Sequence, residues 1–162
     1  MQNAKDSFYI ALRNRLAVLN PARTIVLRGV QRPGILMEEA EAAAMEWLND
    51  AFTLRWTAAA VMEELSSPLW SMECEVNYAT SGSQPNVGLD RGRAMAEMDF
   101  EVAAILAPAW TPKVNYAVTP AATMQTHVFW TTPVFGQLET VREQLLRTMT
   151  VTVYAFEEPG ER

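Results

Sequence analysis

Cysteine and histidine are nearly absent from this chain, with one of each, Cys74 and His127, in 162 residues. A lone thiol cannot close an intrachain disulfide, so folding is independent of an oxidising compartment. The same scarcity leaves few ligands for a metal, because metal sites gather several Cys, His or carboxylate side chains at bonding distance. Basic residues are also short. Thirteen Lys and Arg face nineteen Asp and Glu, for a net charge of −6, whereas electrostatic capture of a phosphate backbone needs a basic surface. The seven glycines are scattered, and neither a P-loop nor a dinucleotide fingerprint is among them. Gly88-x-x-x-Gly92 lacks the Lys-Ser/Thr that phosphate chemistry requires, and reads as a turn and a helix start. No apolar run approaches the roughly 20 residues that span a bilayer. The N-terminus, MQNAKDSFYIALRNRL, has charges inside its apolar stretch, unlike a signal peptide. The expectation is a soluble, cytoplasmic, mildly acidic protein with no membrane partner.

What is present is enough apolar material for one core. Hydrophobic residues make up 49% and charged residues 20%, ordinary globular values that exclude disorder and fibrous repeats. Phe8, Leu12, Leu16 and Leu19 recur at helical spacing, with Asn3 or Asp6 as N-cap and Asn20-Pro21 as the stop. Residues 24–27 read as a short strand closed by Gly29, and Arg32-Pro33-Gly34 as a turn. Residues 35–50 are ambiguous between helix propensity and a hairpin continuation, and are assigned a strand over 35–39 and a loop or short helix over 41–50. Phe52, Leu54, Trp56 and Ala58 alternate with polar residues, as do Trp70, Met72, Cys74, Val76 and Tyr78, so both stretches read as half-buried strands. A helix follows over 89–106, with Met95, Met98, Val102, Ile105 and Leu106 facing the core and Arg93, Glu97 and Glu101 facing water. Proline punctuates 107–136, which predicts a long loop with one strand near 124–130. Residues 145–156 form a closing strand, and 157–162 a frayed tail. The fold class is α+β: a mainly antiparallel sheet with two principal helices packed on it, in a single domain spanning 1–162.

Candidate chemistry is sparse. Cys74 and His127 make a nucleophile pair only if their strands are neighbours, and Cys74 falls on the apolar face of its strand, where a thiol is a small buried hydrophobe. Glu73 and Glu75 share one strand face, and Glu38, Glu39 and Glu41 cluster; such runs serve acid–base work or, more simply, a solvated surface. Asp90 suits a helix N-terminus. Trp110, Trp130 and Phe135 stand in the Pro-stiffened segment, and aromatics of this kind either cover a core or anchor a subunit contact. No cofactor is expected.

Taken in order, FYIALRNRLAVLNPARTIVLRG, PLWSMECEVNYAT, LDRGRAMAEMDFEVAAIL and RTMTVTVYAF resemble phage tail terminator proteins of the lambda type. The related minor tail and tail-completion proteins of siphophages and prophages are similar in pattern. The resemblance covers most of the chain, although 38–46 and 107–136 depart from it. It implies a non-enzymatic virion assembly protein that closes the tail tube as a hexameric ring. Its partners are then further copies of itself, the tail-tube protein and the head-tail connector. It would act in the cytoplasm during assembly and end in the virion tail. Under that reading Trp110, Trp130 and Phe135 contribute to the subunit interface, and Glu73 and Glu75 to a polar face lining the ring or meeting a partner. A homo-oligomeric small-molecule-binding module is the alternative, and an enzyme using Cys74 with His127 or the glutamates is a third class.

Overall fold

The computed structural model describes residues 1–41, 47–63, 67–83 and 88–161. Helix α1 (Gln2–Leu19) presents Phe8, Leu12 and Leu16 to the core, each fully buried. Its N-cap is Met1, without a side-chain hydrogen bond, so the expected caps are corrected. Asn3 lies inside the first turn and donates to Glu161, and Asp6 accepts from Gln2. At the other end the Asn20 N–H reaches the Leu16 carbonyl at 2.8 Å, and Pro21 ends the run. Leu19 falls off the buried stripe and is exposed.

Strands β1 (Thr24–Leu27) and β2 (Val30–Pro33) form a two-residue hairpin. Arg28 and Gly29 both have positive φ, as a type I′ turn demands, so Gly29 turns the chain back rather than ending a solitary strand. Arg32 and Pro33 therefore belong to a strand that the sequence reading takes as a turn. Strand β3 (Ile35–Met37) leaves that hairpin and pairs in parallel with β4 (Phe52–Met62), from Ile35↔Phe52 to Met37↔Leu54. The expected strand over 35–39 is thus shorter by two residues, and a helical turn, α2 (Glu38–Glu41), follows it. Much of the expected loop or short helix, 42–46, lies outside the described residues.

The main sheet runs β3-β4-β5-β9-β7-β6, with β8 also on β9. Strands β5 (Leu69–Thr80) and β9 (Gln144–Phe156) are antiparallel without a slip from Leu69↔Phe156 to Thr80↔Leu145. The other edge of β9 is divided. Its C-terminal half takes β7 (Ala122–Trp130) and its N-terminal half takes β8 (Val134–Val141), which curls the sheet. Strand β6 (Ala109–Asn115) pairs with β7. Helix α3 (Gly88–Ile105) buries Met95, Met98, Val102 and Ile105 as its spacing predicts, with Leu106 just beyond. Together with α1 these side chains cover one sheet face, where Met72, Cys74, Val76, Met149, Val151 and Val153 complete a single core. The α+β reading with two principal helices on a mainly antiparallel sheet holds.

Four local expectations are corrected. Within 107–136 the expected strand near 124–130 is present as β7, but β6 and the start of β8 are strands where a loop is expected. Glu101 does not face water: it is 3% exposed and bonds Arg23 Nε and Asn20 Nδ2. Ala58 does not face the core with Phe52 and Leu54, because a bulge between Trp56 and Ala58 shifts the register and sets Ala58 opposite Glu73. The tail is not frayed over 157–161. Glu158 accepts from the Gln125 and Thr126 N–H groups and the Thr126 hydroxyl, and Glu161 reaches buried Lys113 at 2.6 Å.

Candidate assembly surface

The three aromatic residues expected at one interface occupy three different settings. Trp130 is 3% exposed and packs edge-on against Phe8 at 5.2 Å, with the Arg15 guanidinium 4.9 Å from its ring. It is core, which removes it from the interface reading; alternation along β7 points Val128 and Trp130 inward together. Trp110 is 65% exposed on β6, in register with Phe129 and edge-on to His127 at 4.7 Å. Phe129 in turn stacks on Tyr154. These four rings decorate the sheet face that the helices leave open. Phe135 is 42% exposed on β8, opposite the buried Met149, with the Arg147 guanidinium 5.7 Å from its ring. It therefore belongs to the helix side.

The surface that sequence reasoning missed is β8 as a whole. All eight of its residues are exposed, and Val134, Phe135, Leu138 and Val141 present large apolar side chains. One edge bonds to β9, and among the described residues no strand pairs with the other. An open strand edge carries unpaired backbone donors and acceptors and is a template for another chain. Its only ionisable side chain is Glu139, so little charge opposes contact with a second surface. The sequence VFGQLETV lacks the two-residue alternation by which strands are recognised, because Gly136 and a bulge between Phe135 and Leu138 interrupt it. Gly136 is required there: a Cβ would stand 2.7 Å from the Thr148 carbonyl oxygen of β9.

Beyond the far ends of α1 and α3 lies an apolar groove of about 630 Å³, lined by Val18, Leu19, Ala104, Ala107 and Pro108, with Asn14 and Arg15 among its walls. Val18 is 84% exposed. Arg15 lends its guanidinium to the Ile105 and Ala107 carbonyls, where a cation complements the end of a helix dipole.

On the opposite sheet face, Glu73 sits between Ala58 and Thr152, and Glu75 between Arg55 and Thr150. With Ser71, Asn77 and Thr148 they make a polar, acid-bearing surface. The other glutamates do not join them in one cluster: Glu38 pairs with Arg55 and Glu39 with Lys5, while the side chain of Glu41 lies outside the described residues. Cys74 and His127 are not brought together. Cys74 is completely buried on the helix side, where burial pushes its thiol far up from the ordinary value. His127 neighbours inward-facing Val128 and points to the other face. A thiolate–imidazole pair is therefore ruled out by the sheet itself. No helix of the described residues is long and apolar enough to cross a membrane. Compared with known proteins, the chain matches no protein-family model and no curated protein.

Proposed function

We propose that this chain is a structural subunit of a phage-type tail, of the terminator kind, which assembles as a hexameric ring on the tail tube and meets the head-tail connector. The observation that carries the reading is β8: an apolar, nearly uncharged strand with an open edge, on a protein that is otherwise acidic. Monomeric proteins cover or charge such edges, and an uncovered one marks a contact with another chain. A closed ring needs the same contact repeated head to tail, which a lateral edge strand provides. Glu73, Glu75 and the neighbouring threonines would then face the passage, where like charge keeps DNA moving rather than held. Sedimentation and negative-stain microscopy test this directly. Six-fold rings are expected, together with arrest of tube growth when the ring is added to polymerising tail-tube protein. A monomer or two-fold dimer at every concentration overturns it.

The second reading, a small-molecule-binding module, is favoured by one observation, the apolar groove at the helix ends. It predicts saturable uptake of an apolar fluorescent probe that Ala104→Trp abolishes, in a protein that forms no rings.

A further inference from the structure

We infer that β8 of one copy docks into the α1–α3 groove of the next, with Phe135 and Leu138 as the inserted side chains. This rests on the ring reading and names the two surfaces that would meet. The helix-side placement of both residues follows from register. Phe135 lies opposite buried Met149, and Leu138 opposite Arg147, whose guanidinium reaches Asp99 of α3 at 2.6 Å. The groove is on that same side of the sheet but is lined by no residue of its own β8. One copy thus carries an apolar ridge and, elsewhere, an apolar hollow, and fills neither with the other. A ridge and a hollow at separate places on one molecule make a heterologous contact, which repeats until rotation closes it.

Charge points to a second copy as the occupant. The chain is acidic overall, so copies repel unless they meet at surfaces poor in carboxylates. The groove walls hold no acid and one cation, Arg15, and β8 offers a single carboxylate, Glu139. A ridge whose inserted side chains, Phe135 and Leu138, are uncharged meets a hollow without a carboxylate, while Glu139, opposite Leu146, points to the other face of the strand. The arrangement also leaves the Glu73–Glu75 face uncovered, since that face lies across the sheet from both surfaces.

Cross-linking distinguishes this contact from any other. Native Cys74 is buried and silent, so introduced thiols report alone. Leu138→Cys and Ala107→Cys, both at exposed positions, are made separately, checked for native circular dichroism and melting, then mixed and oxidised. A disulfide-linked dimer is expected only in the mixture, and the double variant should give a ladder ending at a closed ring. Dimers within either single variant mean that like surfaces meet, which overturns head-to-tail docking. Oligomers in sedimentation without any cross-link overturn this contact but leave the ring standing. Head-to-tail cross-links without six-fold rings sustain the contact and overturn the ring. A chain that stays monomeric defeats both.

Discussion

Glu101 sits where helical spacing assigns a solvent position, yet its carboxylate accepts from Arg23 and from Asn20 at 2.5 Å. The reason is tertiary. The segment after α1 turns across α3 and brings a guanidinium and an amide to that flank, so the polar residue is covered by its own partners. No local pattern encodes that approach, and this is why the sequence misplaces it. Removing one partner strands the others, and breaking a buried ion pair costs about 3–5 kcal/mol. Glu101→Ala is therefore expected to lower the urea midpoint by an amount of that order with an unchanged slope; a loss below about 1 kcal/mol would mean that water already serves the pair. Cys74 is the converse case, correctly read from strand alternation as a buried hydrophobe. Burial raises its thiol well above the ordinary value, so a thiol reagent at pH 8 should leave it untouched in the native protein and label it fully in denaturant.

The C-terminal segment after β9 acts as a strap, although its sequence, Glu157-Glu158-Pro159-Gly160, reads as a loose end. Its carboxylates hold Lys113, whose ammonium also donates to the Phe156 carbonyl at 2.5 Å. For Glu158 and Glu161 burial pulls the carboxyl pKa upward. Hydrogen bonds from Thr126 and Gln125 to Glu158, and from Lys113 and the Glu158 N–H to Glu161, outweigh it and leave both below the usual value of 4.5. A lowered folded pKa means the unfolded chain takes up protons first. The strap's contribution is thus complete above about pH 5 and declines as pH falls through the lowered values. Denaturation midpoints should drop on acidification below pH 4.5, and Glu158→Gln with Glu161→Gln should flatten that dependence; an equal slope in both proteins would remove the strap from the account. Strand β8 makes the matching point at an edge. Gly136→Ala drives a Cβ against the Thr148 carbonyl, so faster amide exchange in β8 is expected, with weaker self-association and an intact core. Elements with a clean period, α1, α3, β5 and β9, are legible because each buries one face. In 107–141 only β7 is legible; β6 and β8 are not, because prolines, a bulge in each of the β6–β7 and β8–β9 pairings, and an exposed edge erase the period that burial would impose.

At the scale of the whole molecule, the two sheet faces divide the work: helices close one, and the other stays polar around Glu73 and Glu75. A net charge of −6 alone supplies no electrostatic attraction for a phosphate backbone. Two carboxylates stand mid-sheet, on the face away from the apolar ridge and groove, and give the proposed ring a surface on which that charge can be tested. If this face lines the passage, each copy adds its pair to one surface, and their charges act together on a threaded duplex. Glu73→Lys with Glu75→Lys reverses that sign without touching the core, since Glu73, between Ala58 and Thr152, and Glu75, between Arg55 and Thr150, both lie on the face away from the helices. The reversed ring should retain duplex DNA at low salt and release it steeply as salt rises, because each neutralised phosphate frees counterions. Glu63→Lys with Glu97→Lys, a reversal of equal size at exposed positions off this face, supplies the control. Retention by the first variant only, and only when it is assembled, places the pair on the passage. Equal retention by both variants, or by unassembled subunits, would reduce the effect to net charge and return the polar face to ordinary solvent.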